Sequence, residues 1–388
     1  MTSAGDGTTG RYLVLLEDDW SQATRELSRV AGIRAVDSAE AGLADPLWEA
    51  DGLVLRELGV ALVSADADQV TALTTAAGEP GPISLVEPER YVRALTASAP
   101  QATTEVDEST FTWGLQAVGA PNSTATGAGI RVAVLDTGLD LAHPEFSGRT
   151  IESKSFVQGQ EVQDGHGHGT HCVGTSCGPR EPGDGPGYGV AYEADIVAGK
   201  VLSNEGSGAD GGILSGISWA MNSGCQVISM SLGAAAQPGQ AYSRTFERVA
   251  ARALEQGTLI VAAAGNESER PGVIAPVGHP ANCPSILAVA AVDAAGRVAP
   301  FSCGTVDDIG AVDLAGPGVD VYSSWPMPLR HKRISGTSMA TPHVAGVAAL
   351  ISQATGATGH ELWARLARTA RRLPLLSTDI GAGLVQAP

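Results

Sequence analysis

Short apolar runs alternate with helical patterns through the second half of the chain, and this alternation limits the fold more than any other feature. Five runs are apolar over most of their length, which is typical of strands buried on both faces. They occupy residues 130–135, 196–201, 227–230, 259–263 and 286–292. Helical patterns lie near His171 and at 212–222, 241–255, 344–353 and 359–370. This order predicts an α/β fold with a doubly wound, mostly parallel sheet, whose chemistry lies beyond the carboxyl ends of the strands.

The first 96 residues follow a different pattern. Residues 1–10 are small and polar, which is typical of a disordered tail. Strands are predicted at 12–16, 52–64 (a pair) and 83–93, with helices at 21–31 and 66–77. The order βαββαβ predicts a small α+β, ferredoxin-like domain over residues 11–96. Residues 97–112 lack periodicity and are predicted to be a linker to a larger domain at 113–388.

The charge balance excludes two classes of partner. The chain has 42 Asp and Glu against 24 Lys and Arg, a formal net charge of −18. Nucleic acid requires a basic surface and an anionic membrane would repel this chain, so neither is predicted as a partner. No apolar run approaches the ~18 residues of a membrane-spanning helix.

The N-terminal residues and the cysteines bear on the compartment. Residues 1–20 contain no basic start and no long apolar core, so no signal peptide is predicted. The five cysteines are an odd number without CxxC spacing, which leaves at least one thiol unpaired in the monomer. Both features predict a cytoplasmic protein. Secretion, through a trimmed signal or another route, is the alternative.

Asp136 directly follows the first predicted strand of the larger domain and precedes Thr137 and Gly138. A carboxylate at the end of such a strand can be buried and face a cleft, where it can orient a catalytic base. The alternative is a turn-forming Asp, which is common before Gly.

Three of the chain's eight histidines fall within residues 164–175, which read DGHGHGTHCVGT. The spacing of His168 and His171 suggests a metal site, but structural zinc usually takes four ligands and the HExxH pattern is absent. A general base explains the cluster better. His168 has only Gly169 and Thr170 beside it at a helix start, whereas His171 is predicted to be packed inside.

Two further residues stand where catalytic groups are useful. Asn266 ends the apolar run VAAAGN (261–266), and its amide could donate to a developing oxyanion. Ser338 lies in ISGTSMATPHVAG (334–346), at the start of an Ala-rich helix whose dipole would favour a nucleophile. The alternatives are a Gly-Asn turn for Asn266 and an ordinary N-cap for Ser338.

Taken together, these blocks resemble those of the subtilisin-like serine proteases, or subtilases. The order Asp136, His168, Ser338 is the subtilisin order. The segments VAVLDTG (132–138), GHGTHCVGT (167–175) and SGTSMATPHVAG (335–346) resemble the family's catalytic blocks, and AAAGN (262–266) resembles its oxyanion block. The second and third catalytic blocks are most similar to the proteinase K branch. The similarity extends over about residues 113–387.

The resemblance implies a serine endopeptidase that needs no cofactor for its chemistry. Ser338 would attack a peptide carbonyl, and His168, oriented by Asp136, would move the proton. Asn266 and the backbone N–H of Ser338 would hold the oxyanion. The alternative is a catalytically silent peptide-binding protein on the same fold.

The resemblance also implies where a polypeptide substrate binds. Gly206, Ser207 and Gly208 would pair with its extended backbone, Ser231, Leu232 and Gly233 would form the opposite wall, and Ala264 and Gly265 would line the first specificity pocket. Small residues there suggest room for a large apolar P1 side chain. Glu267 and Glu269 near the rim could instead favour a basic one.

The N-terminal domain resembles the family's inhibitory propeptide in predicted topology. It would act as an intramolecular inhibitor of a self-processed zymogen, cut between about residues 98 and 112. The family's usual calcium loop is replaced by residues 177–187. No metal ligand is therefore assigned, although Glu145 stands at a matching carboxylate position. Structural calcium elsewhere in the chain is left open.

Overall fold

The computed structural model describes residues 7–17, 22–38, 51–97 and 106–388. Its strands are β1 (Thr8–Leu16), β2 (Ala35–Asp37), β3 (Gly52–Leu55), β4 (Val60–Ser64), β5 (Ile83–Ala94), β6 (Arg131–Asp136), β7 (Ile151–Ser155), β8 (Asp195–Lys200), β9 (Ser207–Ala209), β10 (Val227–Met230), β11 (Leu232–Gly233), β12 (Leu259–Ala263), β13 (Leu287–Val292), β14 (Leu314–Pro317), β15 (Val321–Ser324) and β16 (His331–Ile334). Its α-helices are α1 (Ala23–Ala31), α2 (Ala67–Ala77), α3 (Trp113–Ala117), α4 (His168–Cys177), α5 (Asp210–Asn222), α6 (Arg244–Glu255), α7 (Thr337–Thr355), α8 (Gly359–Thr369) and α9 (Ser377–Ile380).

A seven-stranded sheet with the order β14-β13-β12-β10-β6-β8-β7 forms the centre of the larger domain. All of its neighbouring strands are parallel, which confirms the predicted α/β, doubly wound fold. Both faces are buried. In β6, Val132 and Val134 pack in the same core as α4 and α7, whereas Ala133 and Leu135 pack with α5 and α6.

The smaller sheet, near the N-terminus, has the strand order β5-β1-β4-β3-β2. The neighbouring strands from β5 to β3 are antiparallel, in the predicted ferredoxin-like arrangement, and β2 adds an unpredicted strand parallel to β3. Strand β1 begins at Thr8, inside the predicted tail, because Thr8 pairs with Arg90 of β5. Residues 1–6 of that tail, and 98–105 of the predicted linker, lie outside the described residues.

Both faces of β1 are buried, in two different cores. Val14 and Leu16 pack with the small domain's own helices α1 and α2. Leu13 and Leu15 point to the other face and share a core with α5 and α6 of the larger domain. The two-residue period of a strand therefore divides β1 between its own domain and the larger domain.

Helix α7 is longer than the predicted segment 344–353 and begins at Thr337, with Gly336 as its N-cap. Ser338 is therefore the second helical residue and is not the N-cap. Pro342 lies inside the helix and cannot donate to the carbonyl oxygen of Ser338. That oxygen instead accepts hydrogen bonds from Ser231 Oγ at 2.8 Å and Cys172 Sγ at 3.6 Å, so the helix continues past the proline.

The close packing of α4 on the loop after β6 makes a testable prediction. A Cβ at Gly169 would lie 2.3 Å from the carbonyl oxygen of Gly138, so Gly169→Ala must push the helix away from Asp136. In a Ser338→Ala background, we expect this change to lower the melting temperature.

Gly212 in α5 is the matched control, because a Cβ there would meet nothing closer than 3.7 Å. Ala is favoured over Gly in a helix by about 0.5–1 kcal/mol, so Gly212→Ala should leave the melting temperature unchanged or raise it. Equal melting curves for the two variants would contradict this packing.

Candidate active site

Asp136 and His168 form a buried hydrogen-bonded pair at the carboxyl edge of the large sheet. Asp136 ends β6, and His168 begins α4. His168 Nδ1 lies 2.7 Å from Asp136 Oδ1 and 2.9 Å from Oδ2, and both side chains are almost fully buried. With Nδ1 donating to the carboxylate, Nε2 carries the ring's lone pair. Nε2 is buried and has no hydrogen-bond partner among the described residues, so it is free to accept a proton.

The three clustered histidines differ in basicity. Burial disfavours a charge on His168, but Asp136 reverses this effect and raises the pKa of His168 well above 6.5. Burial lowers the pKa of His171 to about 3, and its Nε2 donates to the carbonyl oxygen of Val321 at 3.0 Å. Burial also lowers the pKa of His166. Of the three, His168 is therefore the most basic, and His171 is packed inside.

Asp164 organises the loop before α4, a role that we did not predict. Its Oδ1 accepts hydrogen bonds from Thr137 Oγ1 at 2.9 Å and from the backbone N–H of Gly167 at 2.8 Å. Its Oδ2 accepts from the backbone N–H and the hydroxyl of Thr170 at 2.8 and 2.7 Å. One carboxylate thereby ties the loop after Asp136 to the first turn of α4. In the sequence, the signal for this role was the position of Asp164, four residues before His168.

Ser338 lies in the first turn of α7 and is fully buried. Its hydroxyl donates to the carbonyl oxygen of Ser231 at 2.9 Å, and not to His168 Nε2. Cys172 Sγ lies 3.9 Å from His168 Nδ1 and 3.6 Å from the carbonyl oxygen of Ser338, so it links helix α4, which carries His168, to helix α7, which carries Ser338. Catalytic hydrogen bonds often tighten only when substrate is bound, so the contact of Ser338 with Ser231 is compatible with a catalytic role.

Asn266 follows β12 with its amide held in one orientation. Its Oδ1 accepts hydrogen bonds from the backbone N–H and the hydroxyl of Thr337, both at 2.9 Å. Its Nδ2 is buried without a described partner. A buried donor without an acceptor is costly, and a developing oxyanion would supply the acceptor that Nδ2 lacks. Thr337 was missing from the sequence-based site, although it adjoins Ser338.

The cleft beside these residues contains the last strand of the N-terminal sheet. Strand β5 lies between β9 and β11 and pairs antiparallel with both. The paired residues are Tyr91–Ala209, Val92–Gly208 and Arg93–Ser207 on one side, and Arg93–Gly233 and Ala94–Leu232 on the other. Beyond them, Ala94 N donates to Gly206 O at 2.9 Å, and Leu95 N donates to Ser231 O at 3.4 Å. The residues predicted as the two walls thus pair with β5 of the same chain, and their binding of a substrate stays a prediction.

Ala264 and Gly265 are predicted to line the first specificity pocket. Their backbone N–H groups donate hydrogen bonds to neighbouring residues of the fold. Ala264 N donates to Val289 O at 3.0 Å, and Gly265 N donates to Thr337 Oγ1 at 3.3 Å. Glu267 is exposed and accepts a hydrogen bond from the backbone N–H of Asn266 at 2.8 Å. The part these residues play in the pocket stays a prediction.

The potential metal ligands are engaged in other contacts. Among the described residues, one group could hold an ion, Asp136, His168 and Cys172, whose ligand atoms lie within 4.8 Å of one another. Asp136 and His168 already bind each other, and burial raises the pKa of the Cys172 thiol, which keeps it protonated. Glu145 accepts hydrogen bonds from Tyr188 Oη and, at 3.0 Å, from His331 Nε2.

Comparison with known proteins decides the family. The profile of the subtilase family (Peptidase_S8) matches residues 127–383, which is more than half of the chain. The chain belongs to the subtilase family. The predicted family is therefore confirmed, and the protein is a serine endopeptidase, not a silent binding protein on the same fold.

Three relatives show how far the similarity of this subtilase extends. It is 39% identical to subtilisin BL of Lederbergia lenta over 283 residues, 71% of this chain and 96% of the relative. It is 32% identical to the subtilisin-like serine protease Pen ch 13 of Penicillium rubens over 392 residues, 95% of this chain and 89% of the relative. It is 39% identical to the cuticle-degrading protease of Metarhizium anisopliae over 241 residues, 60% and 56% of the two chains. Kinship to the proteinase K branch in particular stays a prediction.

Two findings bear on the environment of this subtilase. None of the helices in the described ranges is long and apolar enough to cross a membrane. All five cysteines are unpaired and buried. Because burial protects these thiols from oxidants, their unpaired state does not identify the compartment.

The raised pKa of His168 predicts the pH dependence of activity. A protonated His168 cannot accept the proton of Ser338, so kcat/KM of the processed enzyme should fall as the pH decreases through a midpoint above 6.5. In Asp136→Asn the pKa of His168 should drop, which moves the midpoint to lower pH, and kcat should fall about 10⁴-fold. Exposed Asp308 is the control, and Asp308→Asn should change neither the pH midpoint nor kcat. An unmoved midpoint in Asp136→Asn would contradict this assignment.

The unpaired Nδ2 of Asn266 predicts a defect in kcat. Asn266→Ala should lower kcat about 10²–10³-fold, the loss known for the corresponding donor of subtilisin, with little change in KM. The exposed Asn222 serves for comparison, and Asn222→Ala should behave as wild type. Steady-state hydrolysis of a peptide substrate measures both, and a loss confined to KM would rule out the oxyanion role.

Proposed function

We propose that this subtilase cleaves peptide bonds with Ser338 as nucleophile, His168 as general base and acid, and Asp136 as the group that orients His168. The observation that carries the assignment is the buried Asp136–His168 hydrogen bond, with Nε2 left without a described partner. Asn266 supplies the oxyanion donor. The chemistry follows from these side chains alone, so we infer that it requires no cofactor, and structural calcium stays a separate prediction.

The reaction proceeds in two halves. His168 Nε2 takes the proton of Ser338 Oγ as the oxygen attacks the carbonyl carbon, and Asp136 stabilises the imidazolium. Asn266 Nδ2 and the backbone N–H of Ser338 hold the oxyanion. His168 then protonates the leaving amine, and the acyl-enzyme is hydrolysed by water through the same steps in reverse order.

We also propose that polypeptides are the substrates and that they bind in the manner of β5. Strands β9 and β11 offer backbone donors and acceptors on both sides of an extended chain. Such pairing recognises the backbone, and only the side-chain pockets add sequence preference. Digestion of a peptide library, read by mass spectrometry, measures that preference.

The N-terminal domain is proposed to be an intramolecular inhibitor. Its strand β5 fills the positions where a substrate would pair, and Leu13 and Leu15 bury its face against α5 and α6. A domain held in this way excludes other polypeptides from the cleft. The protein would therefore be made as a zymogen that must cut its own chain.

Two carboxylates of β5 strengthen this contact. Glu87 accepts hydrogen bonds from Ser243 Oγ at 2.7 Å and from the backbone N–H groups of Arg244 and Thr245 at 3.0 and 3.1 Å, at the start of α6. Glu89 accepts from the backbone N–H of Gly211 at 2.9 Å, at the start of α5. Each carboxylate meets the positive end of a helix, which favours its charge.

For the location we favour secretion over the cytoplasm. One relative is named for degrading cuticle, a material outside cells. The unpaired cysteines, which had suggested a reducing compartment, are buried and do not oppose secretion. Immunodetection in culture medium and in washed cells distinguishes the two locations.

Self-processing predicts a difference in mass between wild type and Ser338→Ala. Purified wild type should appear as two fragments whose masses sum to the full chain plus one water, whereas Ser338→Ala should remain a single intact chain. Intact-mass spectrometry measures both. An uncut wild-type chain with measurable peptidase activity would refute self-processing and leave the protease assignment standing.

The contact of Glu87 with α6 predicts faster activation when it is removed. Hydrogen bonds to a charged group contribute about 1.5–3 kcal/mol, so Glu87→Ala should speed the release of peptidase activity about tenfold or more. Burial opposes the charge of Glu87, but its hydrogen bonds lower its pKa. Its contribution is therefore present above the ordinary Glu pKa and lost as the pH falls through the lowered value.

Glu17 is the matched control for Glu87. It lies 3.6 Å from Arg248 across the same contact, and both side chains are substantially exposed. Exposed ion pairs contribute about 0–1 kcal/mol, so Glu17→Ala should activate within about fivefold of wild type. Equal activation rates for the two variants would contradict the capping role of Glu87.

A further inference from the structure

We propose that the peptide bond between Leu95 and Thr96 is the first bond this subtilase cuts, with leucine as the preferred residue in its first specificity pocket. The inference rests on the proposed self-processing and names its substrate site. It places the cut just before the predicted linker and outside the window of residues 98–112.

Backbone contacts fix the chain on the N-terminal side of this bond. Ala94 pairs with Leu232 of β11, and Leu95 N donates to the carbonyl oxygen of Ser231 at 3.4 Å. The same oxygen accepts the hydroxyl of Ser338 at 2.9 Å. The backbone N–H of Leu95 and the hydroxyl of the proposed nucleophile, Ser338, therefore donate to the same carbonyl oxygen.

The chain is also fixed on the C-terminal side. Ala97 forms a bridge with Ser335, and Ala97 N donates to Ser335 O at 2.8 Å. Ser335 lies three residues before Ser338. Between the contacts of Leu95 and Ala97, the bond from Leu95 to Thr96 crosses the start of α7.

The carbonyl oxygen of Leu95 and the proposed oxyanion donor, Asn266, both lie against Gly336. The position that a Cβ on Gly336 would occupy is 2.5 Å from Leu95 O and 3.2 Å from Asn266 Nδ2. The same position is 3.5 Å from Thr96 Cα. Both ends of the bond thus border the N-cap of α7, and the carbonyl group of Leu95 and the amide of Asn266 lie against the same residue, Gly336.

The side chains on the two sides of the bond differ in their surroundings. Leu95 is half-buried, and its Cδ1 lies 3.3 Å from the position of a Cβ on Gly233. Thr96 is exposed. The absence of a side chain at Gly233 leaves room for the leucine, so the pocket contributes specificity on the Leu95 side and little on the Thr96 side.

The proposed step is a hydrolysis that balances with water alone. Ser338 Oγ turns from Ser231 O to His168 Nε2, gives up its proton there and bonds to the carbonyl carbon of Leu95. The C–N bond to Thr96 breaks, and His168 passes the proton to the new amino group. Water then attacks the ester, Leu95 leaves as a carboxylate, and Ser338 regains its proton.

The test is the mass of the earliest fragments released during purification of the full chain. We expect an N-terminal fragment that ends at Leu95 and a partner that begins at Thr96. A peptide with the sequence of residues 89–97 should be cut by the processed enzyme between the same two residues. Earliest fragments that end elsewhere, together with cleavage of the peptide at another bond, would overturn the inference.

Variants of Leu95 test the specificity. Leu95→Asp would place an unpaired charge in the pocket and should slow the cut at least about tenfold, whereas Leu95→Met should keep the rate within about threefold. Thr74, an exposed residue of α2 outside the cleft, is the control, and Thr74→Ala should be cut at the wild-type rate. Equal rates for the Asp and Met variants would overturn the proposed pocket.

Different results would contradict the proposed function and the proposed cleavage site. If the chain is never cut and the preparation has no peptidase activity, the proposed function fails. If Ser338-dependent cutting occurs at another bond, the proposed function stands and only the Leu95–Thr96 assignment fails.

Discussion

The hydrogen bond between Asp136 and His168 is the interaction on which the rest of the active site depends. Both groups are almost fully buried, and an unpaired carboxylate there would be strongly destabilising. His168 supplies the missing partner and gains basicity from it. Asp164 fixes the geometry, because its carboxylate joins the loop after Asp136 to the first turn of α4. The parallel sheet positions this pair, because Asp136 is the last residue of β6 and therefore lies at the carboxyl edge of the sheet.

The cleft beside this pair also accounts for the proposed inhibition by the N-terminal domain. Strands β9 and β11 lie on either side of the cleft, and their backbone groups facing it pair with an extended chain. The nearest extended chain is β5, which belongs to the same molecule. Glu87 and Glu89 dock that strand on the starts of α6 and α5. Inhibition and substrate binding are therefore proposed to be one interaction, and release of the N-terminal domain separates them.

Sequence patterns predicted the core of the fold but not its edges. The central strands were recognisable because burial on both faces requires continuous apolar runs. Strands β7 (IESKS) and β14 (LAGP) were missed, because an edge strand tolerates charged residues, Gly and Pro. Asp136, His168, Asn266 and Ser338 could be singled out from local patterns and their order. Thr337 and Asp164 act through contacts that only the folded chain shows, and the position of Leu95 depends on pairing with distant strands.

Fluorophosphonate labelling mapped by mass spectrometry tests the central claim most directly. In processed wild type, we expect one adduct, on Ser338, and its formation should slow when His168 is protonated. The uncut Leu95→Asp chain should label more slowly, because its own strand still covers the cleft. Failure of processed protein to label, or an adduct on a residue other than Ser338, would contradict the account.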